Sequence, residues 1–369
     1  MTIHLVVLNF NGRELLAECL PSLVRAAEMS RHDCEVIVID NGSDDDSVPF
    51  LRSTFAEVRV IERPNRGLCS FNEVLAGLAG PVAVLVNNDI KLADDCIDLL
   101  VEPLLEPSGQ SSGSQGACFM SAPLCWLFDG KTHEGLQAAV SWRWGLTRTV
   151  IDFPGSERSR HLAGHTAAAG PVLAVDRRIF LELDGFDPLY LPGRLEDLDF
   201  AFRGYMAGYV ARYVPEAVAY HKGQVSFDAA IGPGGSLALA LRNTLLFQWK
   251  NLRHPWHIAR HLLALPARFA FDWLRAPFAK GDQRLAFTRA FLRALARLRQ
   301  ICQHNCRPRR SLEQEREFFR RFDPRVLACK STACSTTRCE EKHPFIEPKI
   351  HDSRSIPPAA ELACSSRFS

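Results

Sequence analysis

Three apolar runs near the N-terminus each stop at an amide or a carboxylate. Ile3 to Phe10 carries Asn9 at its end, Cys34 to Ile39 runs into Asp40-Asn41-Gly42-Ser43, and Pro81 to Val86 runs into Asn87-Asn88-Asp89. Apolar runs of this length without polar alternation suit strands covered on both faces. Between them, Glu14 to Glu28 sets Leu15, Leu16, Cys19, Leu20, Leu23 and Val24 at helical spacing, and Pro21 is expected to kink or divide that helix. Val58 to Ile61 reads as another strand, and Cys69 to Leu78 and Asp94 to Leu105 read as helices. Alternating strands and helices imply a mostly parallel sheet with helices on both faces. Ligands of such sheets bind beyond the carboxyl ends of the strands, where these polar residues fall.

Further along, Pro107 to Gly116 has the composition of a flexible loop. Val172 to Val175 and Tyr209 to Val214 read as strands, with a helix starting at Asp176 and another over Glu196 to Met206. From His254 to His304 nine Lys or Arg residues face only Asp272 and Asp282, with Leu and Phe between them at helical spacing. After Cys329 the chain is rich in Ser, Thr, Pro and Cys without periodicity, as a disordered tail would be. The expected organisation is an α/β domain over 1–253, a basic amphipathic helical extension over 254–328, and a tail over 329–369.

Several classes are disfavoured. The net charge of +2 over 369 residues points to no bulk electrostatic partner, and no nucleic-acid binding is expected. The N-terminus MTIHLVVLNF has no basic leader, and the scattered cysteines suggest buried thiols, so a cytoplasmic setting is expected. The longest apolar candidate, Leu262 to Leu274, is interrupted by Pro266, Arg268 and Asp272, so no membrane span is expected. No G-x-G-x-x-G follows the first strand, against a dehydrogenase, and Asn9-Phe10-Asn11-Gly12 is not the basic glycine-rich loop of a nucleotidyltransferase. Cys329, Cys334 and Cys339 with His343 match no standard zinc finger.

Four clusters could carry chemistry. Asp89 follows a buried strand, where a carboxylate could help hold a hard cation against phosphate oxygens; an Asx turn is the competing reading. Asp40 could hydrogen-bond a base or ribose, with Ser43 alternatively capping a helix. Glu196, Asp197 and Asp199 crowd together, which can raise a carboxyl pKa and suits a general base, or they simply open a helix. His221 follows a strand and could ligate a metal or be structural.

Order and context sharpen these clusters. The stretches VVLNFNG (6–12), EVIVIDNGSDD (35–45), PNRGLCSFNEVL (64–75), VAVLVNNDI (82–90), GPVLAVDRRIFLELDGFDPLY (170–190), LEDLDFAFR (195–203) and YHKG (220–223) resemble family 2 glycosyltransferases, especially their rhamnosyltransferase-like branch. Arg242-Asn243 and Lys250-Asn251 also fit that branch. The resemblance covers roughly residues 3 to 255 and implies a GT-A, Rossmann-like, mixed and mostly parallel sheet. It implies an inverting transfer from a nucleotide-diphosphate sugar, UDP- or dTDP-linked, to a hydroxyl on a glycan or lipid-linked acceptor in bacterial surface polysaccharide or glycolipid synthesis. It places Asn9, Asp40, Asn41, Asn65, Gly67, Asn72 and Asn88 at the donor, Asp89 and His221 at a Mg or Mn ion, and Asp197 as base supported by Glu196 and Asp199. Gly170 to Asp187 would form part of the acceptor wall. The DXD-type motif departs from the pattern, its first carboxylate replaced by Asn87. The alternative is a catalytically inactive sugar-nucleotide-binding or scaffold protein. The basic helices could lie against an anionic membrane at its inner face, arginines on one side and Leu, Phe and Trp on the other.

Overall fold

The computed structural model describes residues 1–106, 116–135, 137–223, 225–279, 281–304 and 311–333, with side chains of 225–234, 282, 302–304 and 330–333 excepted. The loop over 107–115 and the tail beyond 333 lie outside the described residues.

The first half alternates as expected: β1 (Thr2–Asn9), α1 (Arg13–Met29), β2 (Asp33–Asp40), α2 (Ser47–Thr54), β3 (Arg59–Glu62), α3 (Ser70–Gly77), β4 (Val82–Asn87), the short β5 (Ile90–Leu92) and α4 (Cys96–Leu105). Then come β6 (Cys118–Leu127), β7 (His133–Gly135), a separate hairpin of β8 (Ala139–Arg143) and β9 (Leu146–Val150), α5 (Ser156–Ser159), β10 (Gly164–His165), β11 (Val172–Asp176), α6 (Arg177–Glu182), α7 (Glu196–Met206) and β12 (Val210–His221). Helices follow: α8 (Val225–Asn251), α9 (Pro255–Arg275), α10 (Ala286–Leu295), α11 (Leu298–His304), α12 (Leu312–Arg321) and α13 (Pro324–Ala333).

One mixed sheet runs β10-β12-β6-β11-β4-β1-β2-β3, with β5 on β12 and β7 on β6. The long pairings of β1 with β2 and β4, and of β6 with β12, are parallel. β11 runs antiparallel between β4 and β6, joining the two parallel groups. β1 is buried along most of its length and feeds two cores: Ile3, Leu5 and Val7 join α1 and α4 on one face, while Val6 faces the other side. Burial on both faces is why this strand reads as continuously apolar.

Three expectations changed. Pro21 does not divide α1, which runs unbroken; the ring is exposed on the solvent side, where the lost hydrogen bond is least costly. β12 does not end at Val214; it continues through Pro215 to His221, with a register irregularity between Val214 and Val218 that accommodates the proline. Ser43 caps no helix, because Asp46 stands at the N-cap of α2.

The basic helices share the main core. Phe287, Ala294, Ile301, Phe318, Phe319 and Phe322 pack in one cluster with Phe119, Phe200 and Phe202, and residues 1–333 form one compact unit. The last described helix runs to Ala333, four residues past the start of the expected tail. Of the described cysteines, Cys19, Cys69, Cys96 and Cys125 are buried free thiols and Cys34 is half-buried; burial pushes Cys19 and Cys69 up to about 12 and raises Cys96 and Cys125 as well.

Candidate active site

The strand ends gather as the topology requires. Parallel register sets Asn9 beside Asp40, and Leu8 beside Asn87. Asn88 Nδ2 donates to Asn9 Oδ1 at 2.7 Å, Asn9 Nδ2 donates to Asp40 Oδ1 at 3.1 Å, and the Ser43 hydroxyl donates to the same carboxyl oxygen at 2.6 Å. A Cβ on Gly12 would stand 2.0 Å from Asn88 Nδ2, so glycine there lets the chain pass against this amide pair. Asn41 donates to the Gly67 carbonyl at 3.1 Å and accepts from the Ser70 hydroxyl at 2.5 Å, while Asn65 accepts from the Gly67 amide at 3.0 Å. Asn9, Asp40 and Asn41 are buried, and together these residues form a hydrogen-bonded floor.

Asn72 is used differently. Its amide donates to the Phe186 carbonyl at 2.8 Å and accepts from the Phe186 amide at 2.9 Å, which pins α3 to the loop before α7. Gly185, at φ +57, lies so close that a Cβ would meet Asn72 Oδ1 at 2.2 Å.

A pocket of about 320 Å³ opens next to this floor, lined by residues far apart in sequence. Asn87, Asp89, Glu134 and His221 stand on it with Glu196 and Asp197. Gly170, Pro171, Leu173 and Phe186 supply its more apolar lining. His221 Nε2 donates to Asp89 Oδ2 at 3.1 Å, and Nδ1 donates to Glu134 Oε2. Burial works against the charged ring, but the two carboxylates outweigh it and lift His221 to about 9. Glu134 carried no sequence signal: it sits in a three-residue strand, and its partner is 87 residues away.

The acidic wall is held by backbone. Asp197 Oδ2 accepts from the amides of Gly170 at 3.0 Å and Ala169 at 3.3 Å, and Oδ1 accepts from the Leu198 amide at 2.8 Å. Three N–H donors orient the carboxylate without adding a formal countercharge. Glu196 is half-buried, but its Oε2 is sequestered and has no hydrogen-bond partner. Burial, with Asp197 adding repulsion, raises Glu196 to about 7. Arg194 and Leu195 both adopt positive φ (74° and 70°), turning the chain sharply into α7.

Asp199, two residues on, points the other way. It is fully buried and accepts from Lys250, Arg203, Asn251 and Tyr190 at 2.7–2.8 Å. Those cations outweigh burial and hold its carboxyl far below the usual range. Lys250 also pairs with Asp187 at 2.6 Å. Asn243 Nδ2 donates to the carbonyls of Tyr190, Gly193 and Arg194 at 2.7–2.8 Å. Asp199 is therefore a fastening point for the wall and does not stand on the pocket.

Residues 4–167 match the sequence model described as glycosyl transferase family 2. The structure of Staphylococcus aureus TarS residues 1–349 in complex with UDP-GlcNAc aligns with a TM-score of 0.50 at 14% identity, covering 91% of this chain and 92% of that one. The fold comparison rests on this structure, and the shared fold is GT-A. The mannosyltransferase PcManGT from Pyrobaculum calidifontis, in complex with GDP-Man and Mn2+, aligns with a TM-score of 0.49 at 18% identity, covering 89% of this chain and 86% of that one. GalNAc-T7 with UDP, GalNAc and Mn2+ also aligns, at 0.49 and 18% identity over 67% of this chain, which spans only 48% of that structure. None of the curated proteins matches the chain.

Proposed function

We propose that the protein transfers a sugar, with inversion, from a nucleoside-diphosphate donor to an acceptor hydroxyl. The observation that carries this reading is the pocket in which the Asp197 wall and the Asp89–His221 pair line one cavity beside the Asn9–Asp40 floor. Asp40, Asn9, Asn41, Asn65, Gly67 and Asn88 form the donor side in this reading, Asp40 and Asn41 toward the base and ribose. Asp197 is the general base: its backbone donors keep it oriented while it takes the acceptor proton. Glu196, raised toward neutrality, is the second carboxyl of the wall, and in its protonated form it can donate a hydrogen bond to a sugar oxygen.

The donor set fits a divalent ion of the Mg or Mn type. An aspartate carboxylate and an imidazole stand together on the pocket, and no three described His, Cys, Asp or Glu side chains are arranged to hold an ion unaided. Asp89 and His221 would hold the ion together with diphosphate oxygens, the ring giving up the Nε2 proton it shares with Asp89. Its chemistry when bound is to offset the charge of the departing diphosphate. The acceptor is read as a glycan or lipid-linked hydroxyl and the donor as a UDP- or dTDP-sugar of the hexosyl or rhamnosyl class, both from the motif resemblance.

Thermal shifts with a panel of UDP-, GDP- and dTDP-sugars, with and without Mn²⁺, test this. A metal-dependent shift with one nucleotide is expected. No shift with any donor, in a folded sample, would favour a scaffold protein and sink the transferase reading.

A further inference from the structure

α9 is built inside out. Its histidines, Arg268 and Asp272 turn toward the protein. His257 donates to Glu315 at 2.7 Å, and the other oxygen of Glu315 accepts from the backbone amides of Arg253 and His254 at the start of the helix. His261 bridges the Gly145 carbonyl and the Trp249 indole, both at 3.0 Å. Arg268 donates to the carbonyls of Arg143 and Trp144, and Asp272 accepts from Thr288.

Leu265 and Phe269 pack on the core, but most of the other large apolar residues turn outward. Leu263 is 80% exposed, Leu274 75%, Trp256 67%, Trp273 62% and Leu262 54%, and Phe278 in the following turn is 85% exposed. At 100° per residue, Leu262, Trp273, Leu263, Trp256 and Leu274 fall within one arc of about 120°. Pro266 and Ala270 fall within that arc and Ala267 just beyond its edge, all exposed. Single exposed apolar residues need no explanation, but a continuous stripe along a whole helix does.

We propose that this face seats the protein on an anionic membrane surface, with α9 lying flat in the interface. Charge decides the occupant. Arg260 and Arg275 lie to one side of the stripe and are exposed, and Asp272, the only acidic residue between 254 and 279, is turned inward to Thr288. The next two helices, Ala286–Leu295 and Leu298–His304, carry Arg289, Arg293 and Arg299 and no acid, with Arg297 between them. In a two-fold dimer the stripe would meet itself and bring arginines together without a carboxylate to pair them. An anionic lipid surface instead matches both the apolar arc and the basic residues beside it. Trp256 near one end and Trp273 near the other suit the headgroup level, where indoles are favoured. No described helix is long and apolar enough to cross a membrane, so the contact is peripheral.

The test uses the full chain with phosphatidylcholine vesicles, with or without phosphatidylglycerol. Wild type is expected to float with the anionic vesicles only. The double variant Leu263→Glu/Leu274→Glu, at exposed positions, should bind on the order of tenfold or more weakly. Arg260→Gln/Arg275→Gln should lose roughly fivefold per charge removed and only on anionic vesicles. Brominated lipid should quench Trp256 and Trp273 fluorescence in wild type, a readout that needs no variant. Failure of wild type to float, or equal flotation of the glutamate variant, would overturn the proposal. So would a concentration-dependent dimer that the glutamate variant dissolves, because the face would then be a homotypic interface. None of these readouts depends on donor binding, so this inference and the transferase reading fail separately.

Discussion

Asp197 and Asp199 are two residues apart on one helix and share a charge, yet their surroundings are opposite. Asp199 is sealed among Lys250, Arg203, Asn251 and Tyr190, while Asp197 meets three backbone amides and stands on the pocket. A half-turn of helix separates a carboxylate fixed by countercharge from one left available to a proton. The same contrast runs through the flanking elements: the end of α8 ties down the loop over 187–195, and the pocket side of that loop carries the reactive groups. The lesson is that a site needing an under-compensated charge is held in place by a fully compensated one next to it.

The strongest way to break this contrast is Asp197→Asn. Turnover should fall roughly thousandfold or more, about 4 kcal/mol of barrier, with the donor-induced thermal shift kept. Near-normal rates would remove Asp197 as base. Next is Lys250→Met, which leaves Asp187 and Asp199 facing each other. Urea unfolding should show a loss of about 3 kcal/mol or more, as for other broken buried pairs. A loss below about 1 kcal/mol would mean the network carries little of the wall's stability.

Glu196→Gln sharpens the contrast by sign. Glu196 ionises near pH 4.5 when exposed and at about 7 in the fold. Below pH 4.5 it is neutral in both states and costs nothing. Between 4.5 and 7 the unfolded chain has lost the proton and the folded chain keeps it, so stability falls as pH rises and levels off above 7. Thermal melts should show the variant more stable than wild type by about 2 kcal/mol at pH 8 and equal to it at pH 4. Equal stability at pH 8 would show that the carboxyl is solvated. The smallest effect is expected at Asn72→Ala, which leaves the Phe186 amide and carbonyl bare and should cost about 1–2 kcal/mol in chemical denaturation, with KM raised more than stability alone would explain.

Much of this was readable in advance, and for physical reasons. Strands buried on both faces leave unbroken apolar runs, so β1, β2, β4 and β11 could be found, and strand-end logic gathered Asn9, Asp40 and Asn88. Glu134 was not readable, because its role depends on a pairing made by folding. Three carboxylates in LEDLD looked alike in sequence; folding sorts Asp199 from Asp197 by bringing in Lys250 and Asn251 from more than 50 residues further on. Periodicity disclosed the stripe on α9 but could not say which way it faced, because spacing is blind to what the helix leans on. Helix α1 tolerated Pro21 because the ring fell on an exposed position, and exposure is a tertiary property.

The hydrogen bond between Asp89 and His221 joins residues 132 apart in the chain. Closing so long a loop costs entropy that local helices do not, so contacts of this kind form late and belong to slow-folding topology. β12 carries His221 to the pocket by pairing with β5 and β6, and the expected order places it after β1, β2 and β4. Partly folded chains would then carry most of the core and none of the site. Recovery of donor binding during refolding should trail the return of helical signal, making the pocket a clock for the last steps of assembly.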